Sequence, residues 1–241
     1  MRRSHKSSLR KFMKVAIIQF PGSNCDWDAE HAVNDVLGIP SKRIWHKSRL
    51  PAETEAVVVP GGFSFGDYLR CGAIARFSPI MSDLKEFAAK GGQVLGICNG
   101  FQILCEAGLL PGALVRNDCI EFRCVNQPLR VEDSNERFSR ENLGPTLSLP
   151  IAHGEGNFRA DDSVLSDLEA NGQVLLRYEG NPNGSVNDIA GIRNESGNVY
   201  GMMPHPERAI EAHHPCQDGL LVLEAFLDPV RKNNPIELSA S

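Results

Sequence analysis

The chain has 241 residues, of which 41% are hydrophobic and 23% charged, a balance typical of a globular protein with a full core. Residues 1–14 hold six Lys and Arg side chains and no acid, whereas the rest of the chain holds 19 basic and 30 acidic ones. This acidic body argues against a nucleic-acid partner, and no apolar run reaches the ~18 residues that a membrane helix requires.

The seven cysteines are an odd number without paired spacing. Such a set is typical of reduced thiols, and it predicts a cytoplasmic location. The basic leader, residues 1–13, lacks the apolar segment of a secretory signal, and we expect it to be disordered. We expect a single domain over residues 14–230 and a C-terminal tail over residues 231–241.

In the first 110 residues, predicted strands alternate with predicted helices. This alternation predicts an α/β fold: a three-layer, doubly wound, mostly parallel sheet with flanking helices. The predicted strands are 14–20, 43–45, 56–60 and 93–97; the predicted helices run from Ser23 or Asn24 to Gly38, between Pro79 and Gly91, and from Asn99 to about Cys105.

The second half of the chain has a different pattern. Short alternating runs predict antiparallel strands that form a small edge or flap beside the main sheet. These runs are 113–115, 121–125 and 146–150, followed by a helix at 163–170, strands near 174–178, 189–193 and 199–203, and a last helix at 216–227.

Cys98 follows a short apolar strand and has a glycine two residues away on each side. This pattern predicts a sharp turn from a buried strand into a helix, with the thiol at its apex. Glycine leaves room for a strained turn there, and the N-terminal end of a helix favours negative charge. Cys98 is therefore the candidate nucleophile, although a buried core cysteine is the alternative when the residue is considered alone.

His205 lies between two prolines after a predicted strand, and Glu207 follows two residues later. A residue before proline is disfavoured in the helical region. Side chains two apart in an extended segment point to the same side, so we expect His205 and Glu207 to touch. Together with Cys98, a base that has its own orienting carboxylate would form a Cys-His-acid triad.

The string PGGF at 60–63 ends the strand before the elbow. Backbone N–H groups of Gly62 or Phe63, together with that of Asn99, are candidates for an oxyanion hole; a tight turn without chemistry is the alternative. The glycines at 61–66 do not have dinucleotide-loop spacing, and no phosphate-binding loop occurs. We therefore expect this chain to bind no cofactor and no ATP.

No metal site is expected either. The histidine and acid at 205–207, with Pro215 and Cys216, resemble part of a zinc deaminase signature, but position 219 is glycine where a second cysteine is required. The other cysteines and histidines lack the spacing of a structural zinc site.

The order of these motifs resembles that of the class I, triad-type glutamine amidotransferases: PGG at 60–62, GICNGFQ at 96–102 and HPE at 205–207. Three further strings narrow the resemblance to the glutaminase subunits of phosphoribosylformylglycinamidine synthase. They are GGFSFGDYLRCGAIA at 61–75, HGEGNF at 153–158 and NPNGSVNDIAG at 181–191.

The resemblance implies that Cys98 attacks the side-chain amide of glutamine, that His205 transfers protons and that Glu207 orients His205. It implies that Gln102 shapes the glutamine pocket. It also makes three residues candidates for the pocket or an interface, namely Arg70, His153 and Glu155.

By the same resemblance, the ammonia passes to a large synthetase subunit that uses ATP and Mg²⁺ in purine biosynthesis, and a small third subunit completes the complex. Three alternatives stay open: a glutaminase that serves a different synthetase, a stand-alone cysteine hydrolase, and an inactive interaction subunit.

Overall fold

The computed structural model describes residues 13–233. Of the predicted leader, only Met13 falls within this range, where it packs partly buried against the core. The other leader residues, 1–12, and residues 234–241 of the predicted tail lie outside the described range. One continuous cluster of buried apolar side chains extends from Val15 to Val230.

Eleven strands occur in the described part of the chain, and most match the predicted runs within two residues. They are β1 (Val15–Gln19), β2 (Ser41–Trp45), β3 (Ala56–Val59), β4 (Gln93–Ile97), β5 (Ala113–Val115), β6 (Arg123–Val131), β7 (Thr146–His153), β8 (Asn157–Arg159), β9 (Val174–Tyr178), β10 (Ile189–Arg193) and β11 (Val199–Met202).

Six α-helices connect or flank these strands within residues 13–233. They are α1 (Asp26–Glu30), α2 (Ile80–Ala89), α3 (Asn99–Glu106), α4 (Arg140–Leu143), α5 (Asp162–Ala170) and α6 (Asp218–Asn233). The first predicted helix is divided, because α1 continues as a π-helical segment over His31–Val36. The last helix runs past its predicted end at 227, and residues 231–233 of the predicted tail belong to it.

Nine strands form one sheet in the order β2-β1-β3-β4-β11-β10-β9-β6-β7. The first five pair in parallel and form the parallel half. The last four pair antiparallel and form the antiparallel half. Only β10 and β6 run against the other seven strands, so the expected mostly parallel, doubly wound fold is confirmed. The antiparallel part is larger than a small edge, and a separate antiparallel ribbon pairs β5 with β8.

Burial follows this division. All four residues of β3 are buried, as expected for a parallel strand covered by helices on both faces. Along β7, buried residues alternate with more exposed ones, as in a strand with one face against the core. No helix within residues 13–233 is long and apolar enough to cross a membrane.

Three neighbouring strands of the parallel half bring the predicted motifs together. In the sheet, β4 lies between β3 and β11 and is parallel to both. Gly61 follows β3, Cys98 follows β4 and His205 follows β11. Because parallel strands end at the same edge, this places the three segments side by side outside the carboxyl ends, where α/β sheets bind ligands.

Candidate active site

Cys98 occupies a strained turn between β4 and α3. Its backbone angles are φ 49° and ψ −106°, a region that residues other than glycine seldom adopt. The backbone N–H of Cys98 donates to the carbonyl oxygen of Met202 in β11 at 2.8 Å, which holds the turn in the sheet. Strain of this kind costs about 1–3 kcal/mol and is concentrated at functional sites. The predicted elbow is thus present.

The glycines that flank Cys98 allow α3 to lie directly against the sheet. A Cβ atom on Gly100 would lie 1.8 Å from the carbonyl oxygen of Val59, and one on Gly96 would lie 2.6 Å from Leu104 Cδ1. Neither position can carry a side chain without movement of the backbone or the core. The glycine pattern therefore permits close helix–strand packing, which in turn fixes where the thiol emerges.

His205 and Glu207 form the expected pair. Nδ1 of His205 lies 2.6 Å from Oε1 of Glu207, and the two residues are only 1% and 2% exposed. The backbone that brings them together differs from the extended segment predicted, because Pro206–Arg208 forms a 3-10 turn. Proline at the start of this turn supplies the required φ. The contact between His205 and Glu207 was therefore predicted correctly, but the backbone conformation that produces it was not.

The His205 loop is fixed from two sides. The N–H of His205 donates to the carbonyl oxygen of Pro150 in β7 at 2.8 Å. At the start of α6, a Cβ on Gly219 would lie only 1.9 Å from the carbonyl oxygen of Pro206, so the helix packs directly on the loop. These contacts leave the imidazole little freedom to move.

The charge environment of His205 favours the imidazolium. Burial opposes protonation, but the Glu207 carboxylate and then negative charge on the Cys98 sulfur outweigh it and hold the pKa of the imidazole well above its ordinary value. Nε2 of His205 is buried and makes no hydrogen bond of standard geometry within the described residues. The ring therefore has one nitrogen held by the carboxylate and one free for proton transfer.

The imidazole and the thiol meet over the backbone of Gly61. A Cβ placed on Gly61 would lie 2.7 Å from His205 Cε1 and 3.4 Å from Cys98 Cβ. The sulfur of Cys98 also lies 3.7 Å from the carbonyl oxygen of Ala152. Cys98, His205 and Glu207, which are far apart in the sequence, thus converge in one buried place.

The structure removes one of the three candidate N–H donors of the oxyanion hole. The N–H of Phe63 donates to the carbonyl oxygen of Gly22 at 3.1 Å, so Phe63 is not a free donor, contrary to one of the two predictions. Gly62 has φ 138°, which glycine tolerates best, and within residues 13–233 no hydrogen bond takes its N–H. Asn99 begins α3, where an N–H has no partner within the helix. Gly62 and Asn99 remain the candidate donors.

A chain of hydrogen bonds forms the wall beside the nucleophile. Asn99 Oδ1 accepts from the N–H of Ser64 at 3.1 Å, and Asn99 Nδ2 donates to Gln102 Oε1 at 2.9 Å. Gln102 Nε2 in turn donates to the carbonyl oxygen of Glu155 at 2.6 Å. Gln102 therefore holds the turn between β7 and β8, with both ends of its amide already engaged.

Two candidate pocket residues lie in different surroundings. Arg70 is largely exposed and forms a two-pronged ion pair with Glu106, the last residue of α3. His153 is buried; its Nδ1 lies 3.3 Å from Asn117 Oδ1, and its Nε2 has no partner among the described residues. Burial, and then the nearby His205, lower the pKa of His153 to about 4. Arg70 thus belongs to the surface, and His153 is neutral at pH 7.

Sequence reasoning missed three residues of this region: Cys25, Arg208 and Asn117. Asn117 Nδ2 donates to the backbone oxygens of Glu121 and His153, at 2.9 Å each. The contact with His153 joins parts of the chain 36 residues apart. The one available signal was Arg208, which follows the HPE string directly.

The described residues contain one set of side chains that could hold a metal ion. One ligand atom from each of Cys25, His205 and Glu207 lies within 4.8 Å of the others. Two of these residues already bind each other, and Arg208 Nη2 lies 3.0 Å from the sulfur of Cys25. A guanidinium in that place disfavours a cation, so we assign no metal to this set.

The comparisons with known proteins agree with this chemistry. The profile of the CobB/CobQ-like glutamine amidotransferase domain matches residues 12–217. The phosphoribosylformylglycinamidine synthase subunit PurQ of Synechococcus elongatus is 60% identical over 219 residues, which are 90% of this chain and 99% of that protein. This chain belongs to the PurQ family of glutamine amidotransferases.

Another member of the PurQ family, from Salinibacter ruber, is 52% identical over 227 residues, covering 90% of this chain and 97% of that protein. Among solved structures, a chain in "Structure of PurLQS from Thermotoga maritima" superposes with a TM-score of 0.81 at 40% identity, covering 90% of this chain and 99% of that one. The fold and the sequence therefore lead to the same family.

Proposed function

We propose that this chain is the glutaminase subunit of phosphoribosylformylglycinamidine synthase: it hydrolyses glutamine to glutamate and ammonia and passes the ammonia to a synthetase subunit in purine biosynthesis. One observation carries the chemistry, namely the meeting of Cys98, His205 and Glu207 at the ends of adjacent strands. Membership of the PurQ family supports the choice of pathway.

In the first step, the sulfur of Cys98 attacks the side-chain amide carbon of glutamine. His205 already holds the thiol proton as an imidazolium, because its pKa lies well above the ordinary value, and Glu207 stabilises that charge through Nδ1. The carbonyl oxygen becomes an oxyanion that the N–H groups of Gly62 and Asn99 stabilise. Loss of one such donor typically costs about 10²–10³ in rate.

In the second step, the tetrahedral intermediate collapses. His205 returns its proton to the leaving nitrogen, ammonia departs, and a γ-glutamyl thioester remains on Cys98. His205 then removes a proton from water, which attacks the thioester carbon. Glutamate is released, the sulfur of Cys98 leaves as a thiolate, and the proton taken from water stays on His205, which restores the starting state.

The ammonia requires an acceptor on another chain. No phosphate-binding loop occurs in this sequence, so we assign ATP and Mg²⁺ to the synthetase subunit and no cofactor to this one. The named complex from Thermotoga maritima supports a large synthetase subunit and a small third subunit as partners. We expect the isolated chain to be a poor glutaminase, because ammonia that is made without an acceptor is wasted.

The deciding experiment reconstitutes the chain with both partner subunits and compares glutamine with ammonium as the nitrogen donor. We expect Cys98→Ala to abolish glutamine-dependent product formation and to leave ammonium-dependent formation intact. Cys124→Ala, which removes an exposed thiol in β6, is the matched control and should behave as wild type.

Each alternative predicts a different result. Glutamate release that survives Cys98→Ala would leave only a scaffolding role. Full activity with a different synthetase and its acceptor would change the pathway. Rapid glutamine turnover by the chain alone would favour a stand-alone hydrolase.

A further inference from the structure

Cys25 is a buried second thiol that the mechanism above does not use. It directly precedes α1 and is 2% exposed. Its sulfur accepts a hydrogen bond from Arg208 Nη2 at 3.0 Å and donates one to Asn24 Oδ1 at 3.4 Å. Arg208 is itself tied to α1, because its Nε donates to Asp28 Oδ2 at 3.2 Å. The thiol is therefore held in a fixed position.

This thiol lies against the catalytic base. The point where a Cβ on Gly61 would lie is 3.2 Å from Cys25 Sγ and 2.7 Å from His205 Cε1. Cys25 Sγ is also within 4.8 Å of an imidazole nitrogen of His205 and of a carboxylate oxygen of Glu207. Cys25 and the backbone of Gly61 thus bound the ring of His205 on the side of α1.

Cys25 is suited to hold the ring without reacting. Burial raises the pKa of the Cys25 thiol and outweighs the influence of the neighbouring His205 imidazole, which lowers it. A neutral thiol does not compete with Cys98 as a nucleophile, because the thiolate is the reactive form. Its polarizable sulfur can still accept a hydrogen bond from a protonated ring.

Several other charged or titratable groups lie around the ring of His205. Glu207 and Cys98 stabilise the imidazolium, and the Arg208 guanidinium lies beyond the Cys25 sulfur. His153 is close enough to interact with His205 but carries no charge at pH 7, since burial lowers its pKa to about 4. Cys25 is a further polar side chain against the ring, with its sulfur within 4.8 Å of an imidazole nitrogen.

We propose that Cys25 is a positioning residue for catalysis: its thiol, anchored by Arg208 and Asn24, fixes the imidazole of His205 for proton exchange with Cys98. As a role in turnover, this inference rests on the proposed glutaminase function. It assigns a part in catalysis to the start of α1, although Cys25 precedes the nucleophile by more than 70 residues in the sequence.

The experiment compares Cys25→Val, which keeps the approximate volume and removes the polar atom, with Cys25→Ser, which keeps a donor and an acceptor. Cys105→Val is the control, because Cys105 is a free thiol near the other end of α3 whose sulfur donates to the Pro111 carbonyl oxygen at 3.6 Å. Two measurements are made: the titration of the His205 ring by NMR on the full chain, and kcat and KM for glutamine in the reconstituted complex.

We expect Cys25→Val to move the titration midpoint of His205 to lower pH and to reduce kcat about ten-fold, as for the loss of one hydrogen bond to a charged group, with KM changed less than two-fold. Cys25→Ser should retain most of both properties, and Cys105→Val should match wild type. If Cys25→Val does not fold, Arg208→Gln releases the same thiol from its anchor and should shift both measurements in the same direction.

Two results overturn the proposal. One is a His205 titration and a kcat that Cys25→Val leaves at wild-type values. The other is an equal effect of Cys105→Val, which would indicate a general effect of core substitution. Failure of the glutaminase function is a separate outcome: the wild-type complex would then not hydrolyse glutamine, while the shift of the His205 titration would persist.

Discussion

The parallel half of the sheet carries the reacting groups, and the antiparallel half holds them in place. The carboxyl ends of β3, β4 and β11 deliver the oxyanion loop, the nucleophile and the base. The far strand β7 supplies backbone oxygens instead: Pro150 accepts from the N–H of His205, and Ala152 lies against the Cys98 sulfur.

This difference has a geometric cause. In the order of pairing, β7 is the last strand and lies four places from β11. Its contacts with His205 and Cys98 require the antiparallel half to curl back towards the end of the parallel half. Proline is tolerated there because an edge strand has no further neighbour for its missing N–H. The different roles of the two halves of the sheet can be tested by substitutions made in one half at a time.

The largest effect should follow Gly100→Ala in the parallel half. The new Cβ would meet the Val59 carbonyl oxygen at 1.8 Å, so α3 must move away from β3. We expect a loss of about 3 kcal/mol or more in the free energy of unfolding, together with loss of glutamine turnover. Urea unfolding and a glutaminase assay measure the two effects.

The control for this substitution is Gly154→Ala, where a Cβ would meet only Phe122 at an ordinary 3.7 Å. Its free energy of unfolding should stay within about 1 kcal/mol of wild type. A Gly100→Ala protein as stable as this control would refute the close approach of α3 to β3.

Glu207→Gln should reduce glutamine turnover by about 10²–10⁴, less than removal of the nucleophile does. The carboxylate raises the pKa of His205, so the variant should lose its protonated imidazole at lower pH than wild type. The pH profile of kcat/KM tests this, and its limb for loss of the imidazolium should shift to lower pH. An unchanged profile would show that Glu207 does not control the base.

In the antiparallel half, His153 should make the fold sensitive to acid. Its folded-state pKa is lowered from 6.5 to about 4, so between these pH values the unfolded chain binds a proton that the folded chain does not. Stability therefore decreases as the pH falls through this window, by up to ~3 kcal/mol from this residue. Urea unfolding at pH 7 and pH 4.5 measures the decrease.

His153→Gln removes the titrating group and should show a smaller loss of stability between the two pH values. Equal losses in the variant and wild type would mean that another group causes the acid sensitivity.

The smallest effect is expected for Arg70→Gln. Arg70 is 60% exposed and paired with Glu106, and such surface ion pairs contribute about 0.2–1 kcal/mol. We expect little change in the free energy of unfolding and no change in KM for glutamine with the isolated chain. A clear rise in KM would restore the pocket role that the sequence suggested.

The sequence allowed prediction where the cause is local. The elbow at Cys98 depends on glycines two residues away, and the His205–Glu207 contact joins residues two apart. The prediction for Phe63 failed because a distant backbone group intervenes: its N–H donates to the carbonyl oxygen of Gly22. The pairing of Arg70 with Glu106 also joins distant residues, and the sequence did not indicate it. Neither Cys25 nor the return of β7 could be found, because no local pattern records which remote segments pack together.

The hydrogen bond from His205 to the carbonyl oxygen of Pro150 makes the position of the catalytic base depend on a remote strand. It joins the outermost strand of the sheet to the backbone that carries the imidazole. Fraying of that outer edge would therefore release the proton-transfer group before the nucleophile's own strand is disturbed, and activity would be lost ahead of the core during gradual unfolding.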